Sequence, residues 1–264
     1  MLRSPRRLAL GAGILAGALA AGTLLAWPSS ADVQAATTAP HAAQWVQKWA
    51  PEANKDGLNA FEGVENRGST KEIYVQDNNY RFDMNVKDRD GSDRQRNEVK
   101  GMVANGRNLI ISKGQTWRFT YSMYIPSSLK ATTSFTHIMQ MKEPGEGTGP
   151  ILTIDLRKRG SQNRLELVIF DSDTVVGSTD LNPLQNKWID VDVQIKYDDK
   201  PNGTARFIVK DGSTTVLDAS KSNVDTWLAD RARPKWGIYR SIKDKADLEN
   251  TYLLITGMRA YQWQ

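Results

Sequence analysis

A strict period of two runs through residues 188–197. Ile189, Val191, Val193 and Ile195 fall on one side, and Asp190, Asp192, Gln194 and Lys196 on the other. Successive side chains of a strand point to opposite faces, so this segment is a strand with one dry and one wet face. Comparable segments recur along the chain. Residues 117–125 alternate, are rich in aromatic and β-branched side chains, and stop at Pro126. Residues 134–142 read as a strand closed by the turn-rich 143–150. Residues 151–159 and 164–170 flank Gly160 and pair as a hairpin. Residues 198–203 form a turn, 205–211 the return strand, and 252–263 a closing strand. A short helix is expected around 224–230, and no βαβ alternation appears. Many short strands with regular turn signals make the fold all-β, with two antiparallel sheets packed as a jelly-roll sandwich.

The N-terminus departs from this pattern. Arg3, Arg6 and Arg7 precede an apolar run over 8–26, then Pro28 and the small triplet Ser29, Ser30 and Ala31. That is the layout of a signal peptide over 1–31. A membrane anchor is the competing reading, but the run is Gly/Ala-rich and near the shortest spanning length. Export with cleavage is expected, by the general secretory or the twin-arginine route. The mature protein would then be extracellular, with no membrane contact. Residues 32–56 read as a linker carrying a short amphipathic helix, because Trp45 and Trp49 lie four apart. Residues 57–264 are left as one β domain, long enough to bury a core without staples.

The chain has no cysteine, which excludes disulfides, thiolate metal sites and thiol nucleophiles. The formal charge is +5, but three of the arginines lie in the leader. The remainder is too evenly charged for a nucleic-acid binder, so affinity for an anion needs a local cation cluster. A monomer is expected.

Three strand-like segments concentrate polar side chains. In the first, Arg96, Glu98 and Lys100 share a face; an ordinary solvated strand face is the alternative. In the second, Gln140 and Lys142 share a face, while His137 falls with Met139 and Met141 on the other. That parity makes His137 a packing residue unless a bulge re-aims it. In the third, Lys235, Gly237, Tyr239 and Ser241 alternate with Trp236 and Ile238, and Gly237 leaves room for a sugar ring near the backbone. Asp88, Asp90, Asp93 and Glu98 surround a turn that matches the start of a calcium loop. The glutamate spacing of a full loop is missing, so a structural calcium ion is a candidate only on that partial match. No phosphate-binding glycine loop or Gly-x-Ser-x-Gly elbow is present.

Arg-x-Glu-x-Lys, then Gln-x-Lys, then Lys-x-Gly-x-Tyr, in that order, resembles the three-strand signature of jelly-roll polysaccharide lyases. Alginate lyases of this fold carry Arg-x-Glu-Leu-Arg, Gln-Ile-His and Lys-Ala-Gly-x-Tyr; glucuronan lyases and the heparin lyase I group resemble them in fold. The runs over 135–142, 152–159 and 233–241 are similar to secreted lyase-like proteins of this group, and the resemblance spans 61–263. It implies a concanavalin A-like β-jelly-roll with a concave substrate groove and an acidic polysaccharide as partner. By the same resemblance, Arg96 would meet a substrate carboxylate and Gln140 would neutralise the carboxyl group at the cleavage site. Tyr239 would be the acid, and is also a candidate base, while Lys235 would hold a neighbouring anionic sugar. Lys142 stands where alginate lyases place the histidine, so the base is Tyr239, Lys142, or His137 from three residues upstream.

These residue types suit β-elimination at a uronate. The C5 proton is weakly acidic beside a charged carboxylate, so donors and cations must stabilise the charge that moves onto it. A base then takes the proton and an acid protects the C4 oxygen. A tyrosine hydroxyl both donates and accepts, and Lys142, Lys235 or Arg240 nearby are expected to favour its phenolate. This scheme requires no cofactor. A non-catalytic carbohydrate-binding module on the same fold is the runner-up. A glycoside hydrolase, dependent on Glu98 and a second acid, is the third reading.

Overall fold

A computed structural model describes residues 43–66, 71–145, 148–228 and 230–264. The expected signal peptide over 1–31 and residues 32–42 of the expected linker lie outside the described residues. The strands, in chain order, are β1 (Trp45–Trp49), β2 (Gly63–Asn66), β3 (Ile73–Gln76), β4 (Asn79–Met84), β5 (Arg94–Lys100), β6 (Val103–Ala104), β7 (Arg107–Asn108), β8 (Thr116–Tyr124) and β9 (Thr136–Lys142). They continue with β10 (Pro150–Arg159), β11 (Gln162–Ile169), β12 (Thr174–Asp180), β13 (Trp188–Lys196), β14 (Gly203–Asp211), β15 (Thr214–Val224), β16 (Arg233–Ser241) and β17 (Thr251–Trp263). The one α-helix among the described residues is α1 (Ala53–Asp56).

Two antiparallel sheets account for nearly all of them. One runs β15-β14-β13-β8-β17-β4-β3, with β1 added to β17; the other runs β12-β11-β10-β9-β16-β5-β2. The alternation predicted for 188–197 is the burial pattern of β13, whose Ile189, Val191, Val193 and Ile195 point into the core. Phe119, Phe207 and Ile255 of the first sheet meet Val99, Met139, Ile154, Leu167 and Trp236 of the second in one apolar cluster. Burying large side chains between two sheets is what holds a disulfide-free sandwich together. The β10–β11 hairpin forms as the sequence suggests. Arg159 pairs with Gln162 across a two-residue turn, and Gly160 takes the left-handed φ of +61° that such a turn needs.

Two local expectations are corrected. Trp45 and Trp49 lie on a strand rather than a helix: β1 pairs antiparallel with the end of β17, and the register slips between Gln47 and Trp49. That slip leaves Trp45 against Trp263, with ring centroids 5.2 Å apart, while Trp49 stacks on Trp236 at 5.6 Å inside the core. A spacing of four on a bulged strand therefore imitates a helix. The body accordingly begins at β1 and not at residue 57. The helix expected over 224–230 is also absent among the described residues, where β15 runs to Val224 and 225–228 are irregular.

Candidate active site

The sheet order β10-β9-β16-β5 brings the three polar segments onto adjacent strands. Their registers build two rungs across the outer face. Lys100, Lys235, Gln140 and Thr153 stand side by side in one; Arg96, Tyr239, His137 and Asp155 stand side by side in the other. A cavity of about 810 Å³ opens over both rungs, lined by Arg94, Arg96, His137, Gln140, Lys235 and Tyr239 among others. Thr148 and Gly149 flank it on one side, and Arg157 and Phe170 also face it.

His137 reaches this face because β9 carries a bulge. Met139 pairs with Trp236 and Ile154, and His137 with Tyr239 and Asp155, which leaves Ile138 without a partner on β10. One extra residue flips the alternation, so Ile138 and Met139 both go to the core and His137 turns outward. Strict parity, which would have left His137 with the methionines, fails here. Gly237 sits opposite this bulge at φ +138°, and a Cβ there would lie 2.2 Å from the Asn97 carbonyl oxygen. Its lack of a side chain therefore serves the approach of β5, not the approach of a sugar.

Arg240 is also corrected. It projects to the opposite side of β16, is 1% exposed, and donates from Nε to Gln95 at 2.7 Å and from Nη2 to the Glu249 carbonyl at 2.9 Å. Burial pulls its pKa down to about 10. It cannot touch a ligand in the cavity. Gln95 in turn donates to the carbonyls of Asn85 and Asp88, so the pair anchors the loop before β5.

The acidic residues of that loop do not converge on one point. Asp88 accepts from the Asn85 amide, Asp90 pairs with Arg96 at 2.7 Å, and Asp93 clasps Arg94 at 2.6 and 3.0 Å. No group of three or more His, Asp or Glu side chains among the described residues is placed to hold a metal ion. The calcium candidate thus finds no assembled site.

Glu65 on β2, opposite Glu98 in register, was not legible from the sequence motifs. It accepts from Lys100 at 2.9 Å, Lys235 at 2.7 Å and Arg96 at 3.1 Å. Glu98 is fully buried, accepts from Gln140 at 2.6 Å and pairs with Lys235 at 2.7 Å. Burial alone would raise the pKa of Glu65, but Lys235 and Lys100 override it and hold the carboxyl well below its usual range. Two carboxylates side by side repel one another, and the lysine between them makes the arrangement tolerable.

Tyr239 sits among cations that sequence reasoning only partly named. Arg94 donates from Nη1 to its hydroxyl at 2.7 Å, and the Arg96 guanidinium lies 4.1 Å over its ring. The His137 ring is 5.6 Å from the Tyr239 ring and stacks on Phe135 at 4.9 Å. Its Nδ1 lies 2.5 Å from Asp155 Oδ1. Lys142 turns away from Tyr239: its ammonium donates to the carbonyls of Glu143 and Gly145 and to the Thr148 hydroxyl. Desolvation, with repulsion from Lys235, Arg96 and Arg233, lowers its pKa.

Residues 46–254 match the family model described as polysaccharide lyase. The chain belongs to that family. No protein of curated function matches it in sequence. In structure the lyase is similar to an endo-β-1,4-glucuronan lyase from the fungus Trichoderma reesei, with a TM-score of 0.56 at 14% identity over 81% of this chain and 95% of that one. It is also similar to an alginate lyase from Aplysia kurodai, with a TM-score of 0.52 at 11% identity over 81% and 97% of the two chains. The alginate lyase Aly36B gives a TM-score of 0.52 at 12% identity, over 84% and 96%. The lyase is thus a β-jelly-roll, as its strand pattern suggested. Its cavity brings together hydroxyl, imidazole, amide and cationic groups on the floor of one sheet, and Glu98, the acid a hydrolase would need, is spent on Gln140 and Lys235.

Proposed function

We propose that the lyase cleaves a uronate-containing polysaccharide such as glucuronan or alginate within the chain, by β-elimination in this cavity, after export from the cell. The observation that carries this reading is the rung Arg96–Tyr239–His137–Asp155 beside the rung Lys235–Gln140. One rung supplies proton chemistry, and the other, with Arg96, supplies donors for the carboxyl group of the same sugar ring.

The hydrogen bonds support an order of steps. Arg94 fills an acceptor position on the Tyr239 oxygen, so the phenol's own proton is free to point at substrate. Tyr239 is therefore the acid. His137 is the base, since the Lys142 ammonium is tied to Gly145 and Thr148. Gln140, Arg96 and Lys235 draw the uronate carboxyl group down and stabilise the charge that develops on it. His137 removes the C5 proton, the released electron pair forms the C4–C5 double bond, and the C4–O bond breaks. Tyr239 protonates the departing oxygen.

Ultraviolet absorbance of the unsaturated uronate product, measured across a panel of acidic polysaccharides, tests the proposal. Glucuronan or alginate is expected to give signal, with a rapid fall in viscosity that marks internal cleavage. Tyr239→Phe is expected to lower kcat by at least about 100-fold. No product from any polyuronate would defeat the substrate assignment, and full activity in Tyr239→Phe would defeat the mechanism. No helix among the described residues is long and apolar enough to cross a membrane. Export is supported by the leader composition, and recovery of the processed protein from culture medium tests it.

A further inference from the structure

We propose that Asp155 is a positioning residue that fixes which nitrogen of His137 carries the proton, and so makes the imidazole a base toward the cavity. The proposal rests on the reading of His137 as the proton acceptor. Three observations carry it.

The first is the bond itself. His137 Nδ1 and Asp155 Oδ1 are 2.5 Å apart, and both residues are 5% exposed. A carboxylate offers only lone pairs, so the proton in this bond belongs to the imidazole. With Nδ1–H committed to Asp155, Nε2 keeps its lone pair, and that nitrogen is the one left for a substrate proton.

The second is the cost of placing Asp155 there. It interrupts the apolar run Ile151, Leu152, Ile154 and Leu156 of β10. A carboxylate removed from water is expensive unless it is paired. Among the described residues its only side-chain hydrogen bond is the one to His137. Neighbouring groove positions show that a neutral side chain is accommodated on this face of the strand, as Thr153 is. The acid is therefore explained by the imidazole and by nothing else that touches it.

The third is that a backbone irregularity and aromatic packing together produce the contact. The β9 bulge at Ile138 is what places His137 opposite Asp155 instead of facing the core. Phe135 stacks on the ring from one side at an interplanar angle of 19°, with Phe170 edge-on at 6.4 Å. Ring plane and proton location are both set before substrate arrives, which is what a positioned base requires.

The chain has only two histidines, His41 and His137, so the tautomer can be read directly. Ring nitrogen NMR on histidine-labelled full-length protein, with His41→Ala to assign the signals, is expected to show His137 protonated at Nδ1 alone. In Asp155→Asn the amide can donate to Nδ1, and the proton is expected to move to Nε2. In the same variant kcat is expected to fall by about 10²–10⁴-fold, with KM changed by less than about threefold. Asp155→Glu, which keeps a carboxylate, is expected to recover part of kcat and the original tautomer. An Nε2-protonated ring in the unmodified protein, or an Asp155→Asn variant with unchanged tautomer and kcat, overturns the proposal. Full kcat in His137→Ala would instead sink the base assignment and with it the catalytic half of the proposal; the tautomer measurement tells these two failures apart.

Discussion

Glu65 shows how much of this site depends on a residue that no motif announces. It joins Lys100, Lys235 and Arg96, and its ionised form is strongly favoured in the folded chain despite partial burial. The folded-state pKa lies below the unfolded value of 4.5, so the stabilisation is fully present above that pH. It is lost as pH falls from 4.5 toward the folded value. Thermal melts of Glu65→Gln across the acid range should therefore show a lower Tm at neutral pH and a flatter decline below 4.5 than the unmodified chain. At this scale the sequence was partly legible. Arg96, Glu98, Gln140, Lys235 and Tyr239 all line or underlie the cavity because simple alternation holds for them. Arg240 fails the same rule: it shares a face with Trp236 and Ile238, and its charge suggested a role that its parity denies. Asp155 left one trace, an acid inside an apolar run, whose partner becomes visible only when strands are paired.

Single-residue slips in the strands decide which of these side chains meet. The β9 bulge re-aims His137, and the slip in β1 separates Trp45 from Trp49. Each inserts one residue into a period of two, and periodicity read along one strand cannot locate it, because the extra residue is defined against a neighbour. Hairpins and uninterrupted strands such as β10–β11 and β13 were legible for the opposite reason: turn chemistry and alternation there are local. Gly237 tests how tightly the irregular region is built. Its φ of +138°, and the mere 2.2 Å that would separate an added Cβ from the Asn97 carbonyl oxygen, leave no place for a methyl group. Gly237→Ala is expected to cost at least about 2 kcal/mol, read as a lower urea midpoint at unchanged m-value. Glu98 is its register partner on β5 and Tyr239 lies two residues on along β16, so the same change should also reduce kcat.

At the level of the whole molecule, both sheets share one core, and no disulfide ties them together. Its N-terminal closure is β1, where Trp49 stacks on Trp236 and meets Phe61 edge-on at 5.7 Å. Trp236 stands between Lys235 and Gly237, so this N-terminal strand props up the floor of the cavity from behind. A chain begun at Gly57, the boundary that composition suggests, should melt well below one begun at residue 43, by the loss of a Trp from the core worth about 3–5 kcal/mol. The layered plan was legible because sandwiches impose period two everywhere. The true start was not, because one edge strand carries too few residues to display it. Arg96, Lys100 and Lys235 already face Glu65, Glu98 and Asp90, and Arg94 faces Asp93, so these cations hold few loosely bound salt anions for an arriving polymer to displace. Lys142 and Arg157 are the lining cations without a carboxylate partner among the described residues. Screening acts on exposed charges far more than on paired, recessed ones, so the binding of an anionic glycan proposed above is expected to weaken little as salt is raised.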